Sequence, residues 1–403
     1  MAKPRKANPD VNIPVSDLAT EILADFKKSF KDDSVTSWQE AKGDEVKTWY
    51  PTGILSLDVA LGGGLAGGQC SMMYALKSSG KSTTAYSAIA ACQQMFPDKI
   101  HVIADPENSA LDAEAHMLKL GVDVDASNLI IIKKPEGKPL YAEDMFERLE
   151  MLFRNPKLRG RLGLIVIDSI GALVSRTEAE DDKKWDKANR VGGLVPSINK
   201  FLRAVHGSGL LYDYDAHILF LNQVRDNIGD MWQPLRVPGG KMLEHAVAQM
   251  VELSRTMGQE FRNPSYKEGN PLESMYVGQR IKYKVTKNKV GGKEGATASV
   301  DYYYDEGLDI YGDTIKLAEF VGLMHGTSWK SLVNPVTSEV IAKFQGMNKW
   351  KDALHNDEKL WAMLYLMTSL AARGVSPEEI MQTVQEEVGT YEPSAEATEP
   401  TED

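Results

Sequence analysis

The chain has 403 residues and a mass of 44.6 kDa, which is enough for two or three domains and too much for a single small module. Apolar residues make up 42% and charged residues 26%, with 33 Gly and 18 Pro, which is typical of a globular protein and excludes a disordered, collagen-like or membrane chain. The formal net charge of −11 argues against a uniformly basic nucleic-acid coat, but it is compatible with a local basic channel on an acidic body.

The cysteine content and the N-terminus indicate a cytosolic protein. Cys70 and Cys92 are too few for a disulfide framework or a cysteine-rich zinc site, and their apolar or helical surroundings predict buried thiols. The first residues, MAKPRKANPD, have no apolar stretch after their basic groups, and no run of eighteen uncharged apolar residues occurs. We therefore expect no signal peptide, no transmembrane helix, no membrane partner and a cytoplasmic location.

The chain begins with a basic, proline-containing arm of about 15 residues, followed by an amphipathic helix. The helix opens at Ser16 in SDLATEILADFKKSF. Its apolar residues recur every four positions, at Leu18, Ile22, Phe26 and Phe30. This apolar face could pack on its own domain or dock on a neighbouring subunit, and periodicity does not choose between the two.

A central domain is predicted from about residue 48 to 325, because short β-rich runs alternate there with helical stretches. The runs are CSMMYA (70–75), IHVIAD (100–105), LIII (129–132), LGLIVID (162–168), HILFLN (217–222) and QRIKYKVTKN (279–288). The first five are short and apolar, as strands buried on both faces of a parallel sheet should be. The sixth alternates and, with SVDYYYDEG after it, predicts an antiparallel hairpin added to the sheet.

Two long polar segments, residues 176–193 and 224–240, interrupt this domain. A compact domain has little reason to keep so much irregular chain unless it serves as a binding loop. We therefore expect two binding loops.

A smaller helical region, residues 326–385, and an acidic tail, residues 386–403, complete the chain. One helix should end at Gly374, and the next should begin with Ser376 as its cap and Glu379 closing a capping box. The final EEVGTYEPSAEATEPTED carries seven acidic residues and no basic one, which predicts a solvated, disordered tail.

The segment ALKSSGKSTTAYSAIAA follows an apolar strand and runs into a helix, which is the arrangement of a phosphate-binding loop. Backbone N–H groups of residues 77–82 would converge on the phosphates, Lys81 would reach the β- and γ-phosphates, and the Ser82 hydroxyl would hold Mg²⁺. Ala75 stands where the consensus begins with Gly, so the first turn should need no positive φ. The candidate nucleotide-binding residues of this loop are Ala75, Lys77, Ser78, Ser79, Gly80, Lys81, Ser82 and Thr83.

Further polar residues stand at the ends of three other predicted strands. Asp168 ends LGLIVID, where an acid lies beside the phosphate loop in this class of fold and binds Mg²⁺ through water. Asp105 and Glu107 follow another strand, and we expect Glu107 to orient or deprotonate the water that attacks the γ-phosphate. Gln223 ends a strand at the root of the second polar segment, so its amide could sense the γ-phosphate and move that loop. Alone, each is an ordinary turn or strand-end residue.

An ordered set of motifs resembles the bacterial RecA-type recombinases. In chain order they are YPTGILSLDVALGGGLAGG, the phosphate loop, D-P-E after the next strand, LGVDVD (120–125), IVIDSIGAL, FLNQVR, PGGKML and KVTKNKVGG. The resemblance covers about residues 48–325. It implies an α/β fold, with a RecA-like P-loop ATPase core around a central, mostly parallel sheet, an N-terminal helix-strand arm (1–47) that packs on the adjacent subunit, and a small C-terminal α-rich domain.

The resemblance also implies a function. The protein would be a DNA-dependent ATPase that uses ATP and Mg²⁺, polymerises on single-stranded DNA as a helical filament, pairs it with a homologous duplex and exchanges strands in DNA recombination and repair.

Roles for individual residues follow from the same resemblance. Lys81 and Ser82 become the phosphate and magnesium ligands, Asp168 the metal-side acid, Glu107 the catalytic glutamate and Gln223 the γ-phosphate sensor.

The resemblance further assigns residues that spacing alone leaves unassigned. Tyr304 matches a nucleotide-facing position, and Lys287 and Lys289 match paired lysines that reach the neighbouring subunit's ATP. Residues 178–193 and 224–240 correspond to two DNA-binding loops. The DNA-binding candidates are Arg190, Lys200, Arg225, Gly239, Gly240 and Lys241.

The chain departs from the family pattern at several positions. Lys77 replaces an acid of the phosphate loop, and Ala115 or His116 stands where a tyrosine stacks on adenine. Glu244 and His245 replace a Lys-Phe pair after the second loop. Two rival functions stay open. One is a ring-forming helicase-type motor of the same fold. The other, which the departures at Ala75, Glu244 and His245 favour, is a nucleotide-gated scaffold that binds single-stranded DNA or a protein partner.

Overall fold

A computed structural model describes residues 15–32, 34–41, 48–181, 193–226, 235–236, 238–268 and 273–391. The chain divides into two compact units, residues 1–47 and 48–403. Across these described stretches, every helix is too short or too polar to cross a bilayer.

The first unit contains helix α1 (Val15–Phe30) and the short helix α2 (Trp38–Ala41). The predicted helix is confirmed and begins within one residue of its predicted start. The four residues of its apolar face are 37–60% exposed: Leu18, Ile22, Phe26 and Phe30.

The second unit contains the strands and the remaining helices. The strands are β1 (Trp49–Tyr50), β2 (Leu65–Ala66), β3 (Cys70–Ala75), β4 (Ile100–Asp105), β5 (Leu129–Lys133), β6 (Leu162–Ile167), β7 (His217–Gln223), β8 (Arg225–Asp226), β9 (Leu235–Arg236), β10 (Gln249–Thr256), β11 (Gly278–Asn288), β12 (Thr297–Tyr303), β13 (Gly307–Leu308), β14 (Met324–His325), β15 (Trp329–Val333) and β16 (Val340–Gln345). The helices are α3 (Leu55–Leu61), α4 (Lys81–Met95), α5 (Ser109–Asp112), α6 (Glu114–Lys119), α7 (Ala142–Arg154), α8 (Arg176–Asp181), α9 (Leu194–Leu202), α10 (Leu210–Asp213), α11 (Gly240–Ala246), α12 (Ile310–Phe320), α13 (Gly346–Asn356), α14 (Glu358–Ala372) and α15 (Pro377–Glu387).

In the described part of the chain, a nine-stranded sheet with the order β13-β12-β11-β10-β3-β7-β6-β4-β5 forms the centre of this unit. The run from β10 to β5 is parallel, and β11, β12 and β13 are added to it by antiparallel pairing. All six predicted strands and the predicted hairpin are therefore confirmed.

Helices cover both faces of the sheet, and alternate residues of each strand enter opposite cores. On β6, Leu164 and Val166 pack with α3, α4 and α6, whereas Ile165 and Ile167 pack with α7, α9 and α11. Cys70 and Cys92 are both fully buried, as predicted.

Strand β5 differs from its prediction as a strand buried on both faces. Ile130 is 36% and Ile131 37% exposed. The reason is its place at the edge of the sheet, where β4 is the one described strand that pairs with it. Sheet order cannot be read from the composition of a single strand.

The C-terminal region has its own core, centred on Trp350, Leu364 and Met367. Its predicted helix end at Gly374 (φ +78°) and the capping box of Ser376 and Glu379 are confirmed. Besides its helices it contains the antiparallel sheet β14-β15-β16, which the sequence reading missed.

The described structure extends into residues 386–391 of the predicted tail. Helix α15 continues through Glu387, and the Tyr391 hydroxyl donates to Asp357 Oδ2 at 3.1 Å. Residues 392–403 lie outside the described residues, and the division into four segments stays a prediction.

Candidate functional site

The phosphate loop connects β3 to α4, as its sequence predicts. Ala75 is extended as the last residue of β3, so the absent consensus glycine is not required there. Positive φ occurs instead at Ser78 (+61°) and Gly80 (+89°). A Cβ on Gly80 would lie 2.5 Å from Ile281 Cδ1, so both backbone conformation and space favour glycine at this position.

The candidate residues leave the carboxyl ends of four adjacent strands. Sheet order makes β3, β7, β6 and β4 neighbours, and all four run parallel. Gln223 pairs with Ala75 at the root of the phosphate loop and is exposed. Asp168 follows β6 directly, and Glu107 stands two residues beyond β4. Residues far apart in sequence therefore meet at one edge of the sheet.

Two hydrogen bonds join these strand ends. Ser82 Oγ donates to Asp168 Oδ2 at 2.6 Å. Ser169 Oγ donates to Glu107 Oε1 at 3.2 Å. The first turn of α4, the end of β6 and the segment after β4 thus form one continuous polar surface.

The neighbouring acid Asp105 has a different environment from Glu107. Asp105 is fully buried, and its Oδ2 accepts the Ala110 N–H at 2.7 Å, with Ser109 Oγ donating to Oδ1 at 3.3 Å. It therefore holds the start of α5, whereas Glu107 is exposed at the site.

Burial shifts the pKa values of Lys81 in the loop and of Asp168 beside it. The Lys81 ammonium is buried and donates to the carbonyls of Ala75 (3.4 Å) and Leu76 (3.2 Å). Burial lowers the pKa of Lys81, and the Asp168 and Glu107 carboxylates partly offset this effect. Burial raises the pKa of Asp168, against the hydrogen bond from Ser82.

A chain of side chains connects α4 to the tyrosines of β12. Thr83 Oγ1 lies 3.1 Å from His116 Nε2, and His116 Nδ1 lies 3.3 Å from the Tyr302 hydroxyl. The Tyr302 and Tyr304 rings are in edge contact at 5.8 Å. His116 is one of the two residues at the position of the expected tyrosine, and it thus contacts α4. Tyr304, which directly follows β12, is connected to His116 through Tyr302.

The two polar segments lie partly outside the described residues, but their roots are described. A Cβ on Gly193 would lie 2.3 Å from Ser175 Oγ, so the two ends of the first segment meet. In the second segment β8 pairs antiparallel with β9, and Asn222 Nδ2 donates to Pro238 O at 2.7 Å. A Cβ on Gly240 would lie 3.1 Å from Val195 Cγ1, so the two roots are in contact.

The DNA-binding candidates divide into three groups. Gly239 and Gly240 have φ of +106° and +79° and lead into α11, where Lys241 is exposed. Lys200 is exposed on α9 and lines a 340 Å³ cavity with carboxylates of α7. Arg225 lies in β8, and Arg190 lies outside the described residues.

Lys287 and Lys289, at the end of β11, lie against the C-terminal end of α11. Lys287 Nζ donates to the carbonyls of Glu244 and His245, and Lys289 Nζ donates to His245 O at 3.3 Å. Unpaired carbonyls at the end of a helix attract cations. Burial lowers the pKa of Lys287, and the nearby Lys289 ammonium adds to the effect.

Two contributors escaped the sequence reading. Ser169 was read only as part of the IVIDSIGAL motif, although its hydroxyl binds Glu107. The register of β10 and β11 shifts between Met250 and Val251, which leaves Thr286 as an extra residue in a bulge. No sequence signal marks such a bulge, because it depends on the pairing of two strands.

Comparisons with known proteins identify the family of the chain. The family model described as the RecA N-terminal domain matches residues 18–309. Protein RecA of Kineococcus radiotolerans is 35% identical over 320 residues, 77% of this chain and 79% of its own. Protein RecA of Aquifex pyrophilus is 33% identical over 313 residues, with coverage of 77% and 80%, and that of an Arthrobacter species is 33% identical over 368 residues, with coverage of 89% and 92%.

One solved structure, described as a crystal structure of the RadB recombinase, is 20% identical, covers 64% of this chain and 98% of its own, and gives a TM-score of 0.42. From the family model and the curated relatives, the chain belongs to the RecA family. The α/β RecA-like fold, and the activity of an ATP-dependent recombinase and DNA-dependent ATPase of recombination and repair, are thereby confirmed.

Proposed function

We propose that this RecA-family protein binds ATP and Mg²⁺ where β3, β7, β6 and β4 end, assembles with further copies into a helical filament on single-stranded DNA, and pairs that strand with a homologous duplex. The observation that carries the proposal is the joining of the phosphate loop to two acidic strand ends, through Ser82 to Asp168 (2.6 Å) and through Ser169 to Glu107 (3.2 Å). A cytoplasmic location is part of the same proposal.

Lys81 would bind the phosphates by exchanging partners. Its ammonium now donates to the neutral carbonyls of Ala75 and Leu76. A buried ammonium gains more from an anionic oxygen than from a neutral one, because charge-assisted hydrogen bonds are stronger. The backbone N–H groups at the start of α4 would complete the phosphate contacts.

The donor set fits Mg²⁺. This ion prefers oxygen ligands and keeps several waters, so one hydroxyl and one carboxylate suffice. Ser82 and Asp168 provide them, and the Ser82 hydroxyl lies 2.6 Å from Asp168 Oδ2. The ion would supply charge neutralisation at the phosphates.

Glu107 would orient the attacking water and accept its proton. Its exposed carboxylate has a single described side-chain partner, Ser169, which leaves acceptor positions for a water. Gln223, paired with Ala75, would report γ-phosphate occupancy to the second DNA loop. Lys287 and Lys289 would reach the nucleotide of the neighbouring subunit and stabilise charge that develops there.

DNA contacts would come from both loops. Gly239, Gly240 and Lys241 would approach the backbone at the root of the second loop, with Arg225 at its other side and Arg190 from the first loop. Lys200 belongs to the same proposal, but the carboxylates beside it weaken its attraction for phosphate.

ATP hydrolysis with and without single-stranded DNA, measured together with electron microscopy of the same samples, tests the proposal. DNA-stimulated turnover with long helical filaments supports it. Closed rings would favour the helicase-type motor, and DNA binding without turnover would favour the scaffold.

The variant Glu107→Gln tests the assignment of the catalytic acid. It keeps the size and the hydrogen bond with Ser169 but removes the base, so turnover should fall roughly 100-fold or more while ATP and DNA binding persist. Asp112→Asn, an exposed acid on α5, is the control and should retain turnover. Normal turnover in the Glu107 variant would end the assignment.

A further inference from the structure

Asn288 is the last residue of β11 and lies between the two lysines proposed to act on the neighbouring subunit. Side chains alternate along an extended strand, so Lys287 and Lys289 share one side and Asn288 points to the other. Both lysines reach His245 O at 3.3 Å, whereas the Asn288 side chain contacts the end of α3.

The Asn288 amide uses both of its functional groups. Its Nδ2 donates to Leu61 O at 2.9 Å, and its Oδ1 accepts the Val290 N–H at 2.9 Å. Leu61 O is one of the last carbonyls of α3, which have no acceptor role inside the helix. The donation requires an amide, because a carboxylate at this position cannot donate to a carbonyl.

Two glycine turns enclose this amide. A Cβ on Gly292 would lie 2.2 Å from Asn288 Nδ2 and 2.7 Å from Ala60 O. A Cβ on Gly62 would lie 2.4 Å from the Gly292 nitrogen. The turn after β11 therefore packs backbone against backbone on the turn after α3, with the Asn288 side chain between them.

The bulge at Thr286 explains why such an anchor is needed. Val285 is fully buried, so regular alternation would direct Lys287 toward the same core face. The bulge changes that phase, and Met250 pairs with Lys287 while Val251 pairs with Val285. The bulge interrupts the regular backbone hydrogen bonding between β10 and β11 just before β11 ends. The Asn288 side chain holds this end of β11 by its hydrogen bond to α3.

We infer that Asn288 is a positioning residue for Lys287 and Lys289. Its amide fixes the strand end that presents both ammonium groups to the nucleotide of the next subunit. The inference rests on the proposed action of these lysines in trans, and it adds the residue that holds them in place.

The variant Asn288→Asp tests this role in the full-length protein. It preserves size and the acceptor for Val290, but it removes the donation to Leu61 O and places a negative charge beside that carbonyl. DNA-stimulated kcat should fall roughly 10- to 100-fold, the cost of misplacing a group near the reaction. Binding of fluorescent ATP to the protein without DNA should stay unchanged, because the phosphate loop is intact. Thr297→Ala, exposed on β12, is the control and should keep normal kcat.

Mixing two variants separates action in trans from a folding defect. Asn288→Asp protomers keep their own Glu107, and Glu107→Gln protomers keep a properly anchored lysine pair. An equimolar mixture should therefore hydrolyse more ATP than the two separate samples together, whereas no recovery would overturn the inference.

The double variant Lys287→Ala/Lys289→Ala separates the positioning role of Asn288 from the action of the two lysines themselves. If it loses turnover while Asn288→Asp keeps it, the positioning role is wrong and the proposed action of the lysines stands. If the double variant itself keeps normal turnover, both are wrong.

Discussion

Asp105 ends β4 and Glu107 follows two positions later, and their different surroundings give them different roles. The sequence favours Glu107 as the acid that faces the γ-phosphate, and the burial of Asp105 in the start of α5 agrees with that choice. Strand-end residues could be predicted because parallel strands end at one edge of a sheet. The partners of Ser169 and Asn288 could not, because each hydrogen bond joins segments that are distant in sequence.

His116 makes the site sensitive to acid. Burial lowers the pKa of His116 below its ordinary value of 6.5, and Lys119 on the same helix adds to the effect. The groups that face it from other elements are Thr83, Tyr86 and Tyr302. Because burial disfavours the charged ring, the link from α4 to β12 is complete at pH 6.5 and above, and it is lost only as the pH falls through the lowered pKa of His116 in the folded protein.

We therefore expect His116→Phe to weaken ATP binding roughly 2- to 10-fold at pH 7.5, the worth of one hydrogen bond, and to flatten the fall in affinity between pH 7.5 and 5.5. ATP affinity measured across this range checks the prediction. His325→Phe, at an exposed histidine on β14, is the control and should leave the pH profile unchanged. A steep profile in the His116 variant would contradict the link.

At the scale of elements, strands of the central sheet were predictable and those of the C-terminal region were not. The central strands are continuous apolar runs, a signal that burial on two faces demands. Strands β15 and β16 pair around a tight turn in which Asn334 Oδ1 accepts the Val336 N–H at 2.9 Å, and only a few of their residues are buried. Short, half-exposed strands carry little periodicity to detect.

Trp350 is the element-scale test of the C-terminal core. It is fully buried, its Nε1 donates to Lys330 O at 2.9 Å, and its ring meets Phe344 edge-on at 4.9 Å. Trp350→Ala should cost about 3–5 kcal/mol of unfolding free energy in this region, measured by denaturant titration followed by circular dichroism.

The half-buried Trp329 of β15 provides the comparison. Trp329→Ala removes the same side chain from a site with less buried surface, so it should cost less. Equal losses in the two variants would show that Trp350 does not organise this core.

At the scale of the whole molecule, the order of strands in the sheet could not be predicted from the composition of the strands. Composition shows that strands exist, but β3 lies between β10 and β7 because of packing between remote segments. The ordered family motifs were the only route from the sequence to this topology.

Assembly provides the prediction at this scale. Ile22 is 45% exposed in the apolar face of α1, and such a face needs a partner. Ile22→Asp should weaken self-association roughly tenfold or more, from about 1.5–3 kcal/mol of lost burial, with little change in thermal unfolding. Sedimentation velocity over a range of concentrations measures it.

Thr20→Asp adds the same charge on the opposite side of α1 and serves as the matched control. Self-association should be close to that of the unmodified protein. Equal weakening by both substitutions would show that charge, and not the apolar face, is responsible.

The position of β3 also has a consequence for folding during synthesis on the ribosome. Both neighbours of this strand, β7 and β10, are synthesised later, and β10 ends only at Thr256. A growing chain therefore carries its phosphate loop for well over a hundred residues of synthesis without the strands that hold it in place, so nucleotide binding must wait until most of the sheet has emerged. Incomplete chains therefore lack the assembled sheet edge at which we propose that ATP binds.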